Sequence, residues 1–189
     1  MSARRWCCYL ALLVLVACSR SPREDCGPGS QEQQQVIDPV LLAFLSQARS
    51  AHHVADQHEA SGDVSAALRP LQSLLSGPKP PGALPEVREV LADTRARVAD
   101  LLSRAGRFDQ AEAEIAEGLG EVKEPTYFRG HLFEVRGLLE ERRAKALSGS
   151  GQSAEAEKAR ERSLAAYEEA MKIQSAVIQQ TAPTPSAVP

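Results

Sequence analysis

The sequence predicts an all-α fold made of antiparallel helical hairpins, about three helix pairs in all, and three observations carry that prediction. Apolar residues recur at steps of three and four through most of residues 38–180, and no run there alternates in the manner of a strand. Gly62, Gly106 and Gly151 punctuate this pattern at spacings of 44 and 45 residues. Around each glycine the same small residue returns: Ala67, Ala111 and Ala156 stand five positions after, and Ala55, Ala99 and Ala144 seven before.

The elements follow in order. Asp38-Pro39 is a cap followed by proline in the first turn. Val40, Leu41, Phe44, Leu45, Ala48, Ala51, Val54, Ala55 and His58 then form one stripe up to Ala60. Gly62 stops this helix and Asp63 caps the next, whose inward residues are Val64, Ala67, Leu68, Leu71, Leu74 and Leu75. Residues 77–82 (GPKPPG) break the chain. A second pair begins near Pro85 with Val87, Val90, Leu91, Val98, Leu101 and Leu102, turns at Gly106, and resumes with Phe108, Ala111, Ile115 and Leu119. Pro125 opens the third pair, in which Phe128, Leu132, Phe133, Val135, Leu138 and Leu139 run towards Leu147. After the turn at 148–151, a long last helix carries Leu164, Tyr167, Ala170, Met171, Val177 and Ile178 as its expected inner face.

Alanine on both sides of a turn is what two helices require where their backbones cross closely, because a larger side chain pushes the axes apart. Glycine between them admits the left-handed residue that ends the first helix. Each hairpin keeps apolar surface in excess, so stacking on its neighbour is the natural way to bury it.

These residues resemble the tetratricopeptide repeat (TPR). The central pair matches with Ala99, Gly106, Phe108, Ala111, Leu119 and Pro125, and the first with Ala55, Gly62, Val64, Ala67, Leu71 and Pro78. The third departs, with Ser153 in place of the aromatic and Arg160 where Leu71 and Ile115 stand. A short TPR-like α-solenoid over residues 38–180 is what the resemblance implies; a bundle of three long hairpins without superhelical stacking is the rival. In the resembled family the first helices line a concave surface for extended peptides or partner helices. Carried over, that groove takes Arg49, His52, Asp56 and Glu59 from the first pair, Asp93, Asp100, Ser103 and Arg104 from the second, and His131, Glu134, Glu141 and Arg142 from the third. Its mixed charge and few aromatics suit a polar, exchangeable contact. The alternative is that three repeats serve only as a rigid spacer.

The N-terminus gives an address. Arg4 and Arg5 precede an apolar run of 11 residues, Trp6 to Val16, too short for a permanent span and the size of a signal-peptide core. It ends in Leu15-Val16-Ala17-Cys18, which closely resembles the lipobox of bacterial lipoproteins. The resemblance implies removal of residues 1–17, acylation of Cys18, and anchoring by several acyl chains, since one chain alone is marginal. Ser19, in place of Asp, implies sorting to the outer membrane, facing the periplasm. Residues 18–37 are then the acylated cysteine and a polar tether with a reach of about 25 Å, and residues 181–189 a disordered, proline-rich tail. Cys26 alone stays as a thiol, so no internal disulfide forms; it pairs with a partner or is incidental.

Without residues 1–17 the chain has 20 basic and 25 acidic residues, a net charge of −5, which argues against a nucleic-acid partner. No phosphate-cradling loop, GxSxG or HExxH occurs, so no enzyme activity and no cofactor are expected. The expected role is a membrane-anchored adaptor for a protein partner in the cell envelope. The alternative is a metal- or small-ligand-binding lipoprotein using His52, Asp56 and Glu59, which share one helical face. Glu112, Glu114 and Glu117, and the run Glu140 to Arg143, are expected to be solvated charge.

Overall fold

The structure, a computed structural model, describes residues 38–181. Over that range it holds six helices and no strand: α1 (Pro39–Ala60), α2 (Val64–Ser76), α3 (Pro85–Arg104), α4 (Phe108–Glu121), α5 (Tyr127–Gly149) and α6 (Ser153–Thr181). The expected signal segment, Cys18, the tether and residues 182–189 lie outside the described residues.

The caps act where the sequence places them. Asp38 accepts from the Val40 amide at 2.8 Å, with Pro39 opening α1, and Asp63 accepts from the Ala66 amide at 2.8 Å to start α2. At α5 the cap is Thr126, whose hydroxyl accepts from Arg129 N at 3.2 Å, one residue beyond Pro125. α2 continues across Pro70 although proline offers no N–H to the Ala66 carbonyl. Leu68, Leu71 and Leu74, all buried on either side of it, hold the helix together. Each such leucine contributes about 1.5–3 kcal/mol.

All three turns are built alike. Gly62, Gly106 and Gly151 have φ of 81°, 74° and 79°. The amides of Asp63, Arg107 and Gln152 reach back to the carbonyls of His58, Leu102 and Leu147 at 3.0, 2.9 and 3.0 Å. The glycine amides bond Glu59, Ser103 and Ser148 at 2.9, 3.1 and 3.2 Å. This double closure satisfies the last carbonyls of the first helix and reverses the chain within three residues. The six flanking alanines are all buried, five of them completely.

Helices pack chiefly within their hairpins, α1 with α2, α3 with α4 and α5 with α6. Between hairpins, α3 rests on α1 and α2, and α5 on α3 and α4, whereas α6 meets α5 alone among the described helices. One core joins the first five helices through Leu68, Leu71, Leu101, Ile115, Leu132 and Leu139; a second, of Phe44, Ala48, Leu74, Val87 and Leu91, fills the far end of the first hairpin.

The last helix corrects the expected inner face. Leu164, Met171 and Ile178 are 64%, 59% and 69% exposed. The seam on α5 is made instead by Ala156, Ala159, Ser163, Ala166, Ala170 and Ile173, again at steps of three and four. α5 dictates this, because a Cβ on Gly137 would lie 2.6 Å from the Tyr167 ring and one on Gly130 3.2 Å from Gln174. Backbones this close admit only small residues between them. The buried Ser163 hydroxyl donates to the Gly137 carbonyl at 3.0 Å, satisfying it inside the seam. Val40 and Val54, assigned to the inner stripe of α1, also face outward.

Charges reinforce the hairpins. Arg95 of α3 pairs with Glu114 and Glu117 of α4 at 2.8 and 2.7 Å. Glu140 of α5, only 5% exposed, takes Nε and Nη2 of Arg162 of α6 at 3.0 and 2.7 Å. Arg136 reaches Glu112 at 2.6 Å. These residues, expected as solvated charge, are cross-helix ties; steps of three and four along one helix do not reveal a partner on another.

Gly106→Ala is expected to destabilise the domain by about 1–2 kcal/mol, because alanine resists the left-handed region. Gly120→Ala, inside α4 with nothing within 4 Å of a new Cβ, is expected to stabilise by up to about 1 kcal/mol. Urea unfolding of the two variants checks both signs.

Candidate functional site

Because α3 packs on both α1 and α5, the first helices of the three hairpins lie side by side. Residues spaced by three and four on each then meet across the helix boundaries. On α1 these are His52, Asp56 and Glu59; on α3, Asp93, Arg97, Asp100 and Arg104; on α5, Arg142.

The polar contacts form a chain across all three helices. Arg97 donates to Asp56 at 2.6 Å and also to Glu59. Glu59 takes Arg104 on its other oxygen, and Arg104 also pairs with Asp100. Asp100, 13% exposed, reaches Arg142 at 2.9 Å. Arg142 donates in addition to the buried Ser103 hydroxyl, which passes its own proton to the Asp100 carbonyl at 2.9 Å. Three acids and three arginines thus neutralise one another along a line from α1 to α5.

His52 joins the line at its α1 end. Thr94, fully buried, gives its hydroxyl proton to the Val90 carbonyl at 2.7 Å, so its oxygen is left to accept from Nε2 of His52 at 3.1 Å. That bond selects the neutral tautomer with the proton on Nε2. Burial lowers the pKa of His52 below 6.5; Asp93 and Asp56 oppose the shift and Arg97 adds to it.

At the α5 end, His131 stacks beneath Tyr127 with ring centroids 5.9 Å apart and touches Glu134 at 3.4 Å. Glu141 bonds the Tyr167 hydroxyl of α6 and, after burial, is the main reason the tyrosine pKa is raised. Arg49 is exposed and stands apart from the chain of ion pairs.

Of the twelve groove residues, the fold therefore links Asp56, Glu59, Asp100, Ser103, Arg104 and Arg142 directly, with His52 and Asp93 adjoining them. His131, Glu134 and Glu141 form a separate cluster on α5, Glu141 through Tyr167. Sequence reasoning missed Arg97, Thr94 and Tyr167. Arg97 was within reach, since it lies four residues after Asp93 and three before Asp100 on the same stripe. Thr94 and Tyr167 were not, because only the packing of a second helix brings them in.

His52, Asp56 and Glu59 do not gather as metal ligands. The first is held by Thr94, and the carboxylates are held by Arg97 and Arg104. No group of three His, Cys, Asp or Glu fit for a metal ion occurs among the described residues. The roomiest cleft, about 550 Å³, lies elsewhere, between Pro85, Arg88 and Glu89 of α3 and the 120–126 connection. Among the described residues no helix is long and apolar enough to cross a membrane. No protein-family model matches the chain, and neither does any curated protein or solved structure.

Two outcomes follow for this face. Asp100→Asn is expected to cost about 1–3 kcal/mol, since it strips a charged partner from Arg104 and Arg142; chemical denaturation measures it. The depressed pKa of His52 means that below pH 6.5 the unfolded chain takes up this proton before the folded one. Its contribution is therefore intact at neutral pH and is lost as pH falls through the folded pKa. His52→Gln is expected to flatten the decline in unfolding midpoint between pH 7 and about pH 5.

Proposed function

We propose that this chain is an adaptor of the bacterial cell envelope: a TPR-like stack of three hairpins, anchored through a lipid on Cys18, that offers the joined face of α1, α3 and α5 to a peptide or helix of a protein partner. The observation that carries this reading is the unbroken line of ion pairs from Asp56 to Arg142, which makes three helices into one continuous polar surface. The thrice-repeated glycine turn and the packing of α3 between α1 and α5 support the stacked arrangement.

A surface whose charges already satisfy one another binds by exchange. A partner's carboxylates and cations replace intramolecular pairs at little desolvation cost, so the contact is selective in charge pattern, modest in affinity and weakened by salt. The exposed Arg49, Glu134 and Glu141 at its margins are the residues a partner meets first. The lipobox-like run before Cys18 and the polar segment after it support attachment to the outer membrane, with the helical domain held in the periplasm.

An affinity-tagged copy crosslinked in native membranes is expected to recover a discrete protein partner. Arg49→Glu with Glu134→Arg is expected to lower that recovery at least tenfold with helicity unchanged. Recovery of only lipids and abundant porins, or recovery indifferent to both substitutions, defeats the reading. Cys18→Ser is expected to abolish palmitate incorporation and release the chain from membranes; a variant that stays bound and labelled overturns the anchor.

A further inference from the structure

Each hairpin touches the next through equivalent positions. Thirteen and sixteen residues after the hinge glycine lie Leu119 and Val122 at the end of the second pair; the same count gives Leu164 and Tyr167 in the third. Twenty-two residues before the hinge lie Val40 in α1, Leu84 ahead of α3 and Arg129 in α5. The join between the second and third hairpins shows that these two sets meet. Arg129 donates to the carbonyls of Leu119 and Val122 at 3.5 and 2.9 Å, and Val122 is buried there. Leu84 and Leu75 occupy the same places at the first join, and both pack into the core at the end of the first hairpin.

At the two ends of the array these positions have nothing opposite them. Leu164 is 64% exposed and Val40 52% exposed, and both are apolar. Met171, one helical heptad beyond Leu164, extends the same stripe and is also exposed. Scattered surface leucines and valines are ordinary. Here, however, the α6 end presents the half of the joint that α4 offers to α5, and the α1 end presents the half that receives it.

We infer that the chain associates head to tail with a second copy of itself, α1 of one molecule packing on the outer face of α6 of the next, with Val40 against Leu164 and Tyr167. The stack then continues across the molecular boundary by the joint it already uses twice within one chain. Such an interface is heterologous, with different surfaces on its two sides, so it builds open chains and does not stop at a symmetric dimer. Arg160 replaces the apolar Leu71 and Ile115 of the earlier hairpins at the centre of this surface. A cation there weakens the joint relative to the internal ones, which makes the association reversible and dependent on concentration.

The test uses the full chain in one detergent, with two single variants at exposed sites, Val40→Glu and Leu164→Glu. In sedimentation velocity the unmodified chain is expected to form species larger than a dimer as concentration rises, while each variant alone stays monomeric with unchanged helicity. Mixed, the two variants are expected to form a one-to-one dimer, because one intact Val40 and one intact Leu164 then face each other; co-purification of an untagged Leu164→Glu copy with a tagged Val40→Glu copy reads this directly. A chain that remains monomeric up to millimolar concentration overturns the inference. So does association that Leu164→Glu abolishes and Val40→Glu leaves intact, which would mark an α6-to-α6 contact. So does a mixture that fails to pair.

Discussion

Everything in this domain depends on one local constraint: a glycine at positive φ flanked by two alanines that cannot be larger. The reversed hydrogen bonds at Gly62, Gly106 and Gly151 fix where each helix stops, and the buried alanines at −7 and +5 fix how near its partner comes. Once those two quantities are set, the apolar residues left over on each hairpin have a single direction in which to be buried. The second hairpin lands on the first, and the third on the second.

The polar face is a consequence of that geometry. Packing α3 between α1 and α5 brings Asp56, Glu59, Asp100 and Arg142 from distant parts of the sequence to within reach of Arg97 and Arg104. None of these pairs is deeply buried, and each is worth little alone. As a connected set, they hold the first helices in register and keep the surface wet, neutral in sum and patterned in sign. The opposite side of α5 follows different chemistry. There Arg129, Arg136 and Arg143 lie over the rings of Phe133 and Phe108 at 5.5 to 5.6 Å, so that guanidinium planes take the part played by leucines in α3.

Much of the fold was legible in the sequence because glycine turns, caps and large apolar residues leave periodic marks. The six helices, the Asp38 and Asp63 caps and the inward alanines all rest on such marks. What escaped notice was carried by small residues and by partners on other helices. The α6 seam of alanines was hidden behind the larger Leu164 and Met171, because burial at a close crossing favours size over hydrophobicity. Of the candidate site, the residues on each helix face were readable, while their pairing was not. Arg97 bridges residues 41 and 38 positions away, and nothing local announces it.

The ties of the second and third hairpins are opposite in sign. Arg95 and Glu117 stand eleven residues before and after Gly106; Glu140 and Arg162 hold the same two places around Gly151. Were α3 to close on α6, or α5 on α4, in the hairpin register, Arg95 would meet Arg162 and Glu140 would meet Glu117. Like charges so placed cost several kcal/mol. Three hairpins with nearly interchangeable apolar faces therefore carry a polarity key that lets each nascent helix recognise its own mate and refuse its neighbour's.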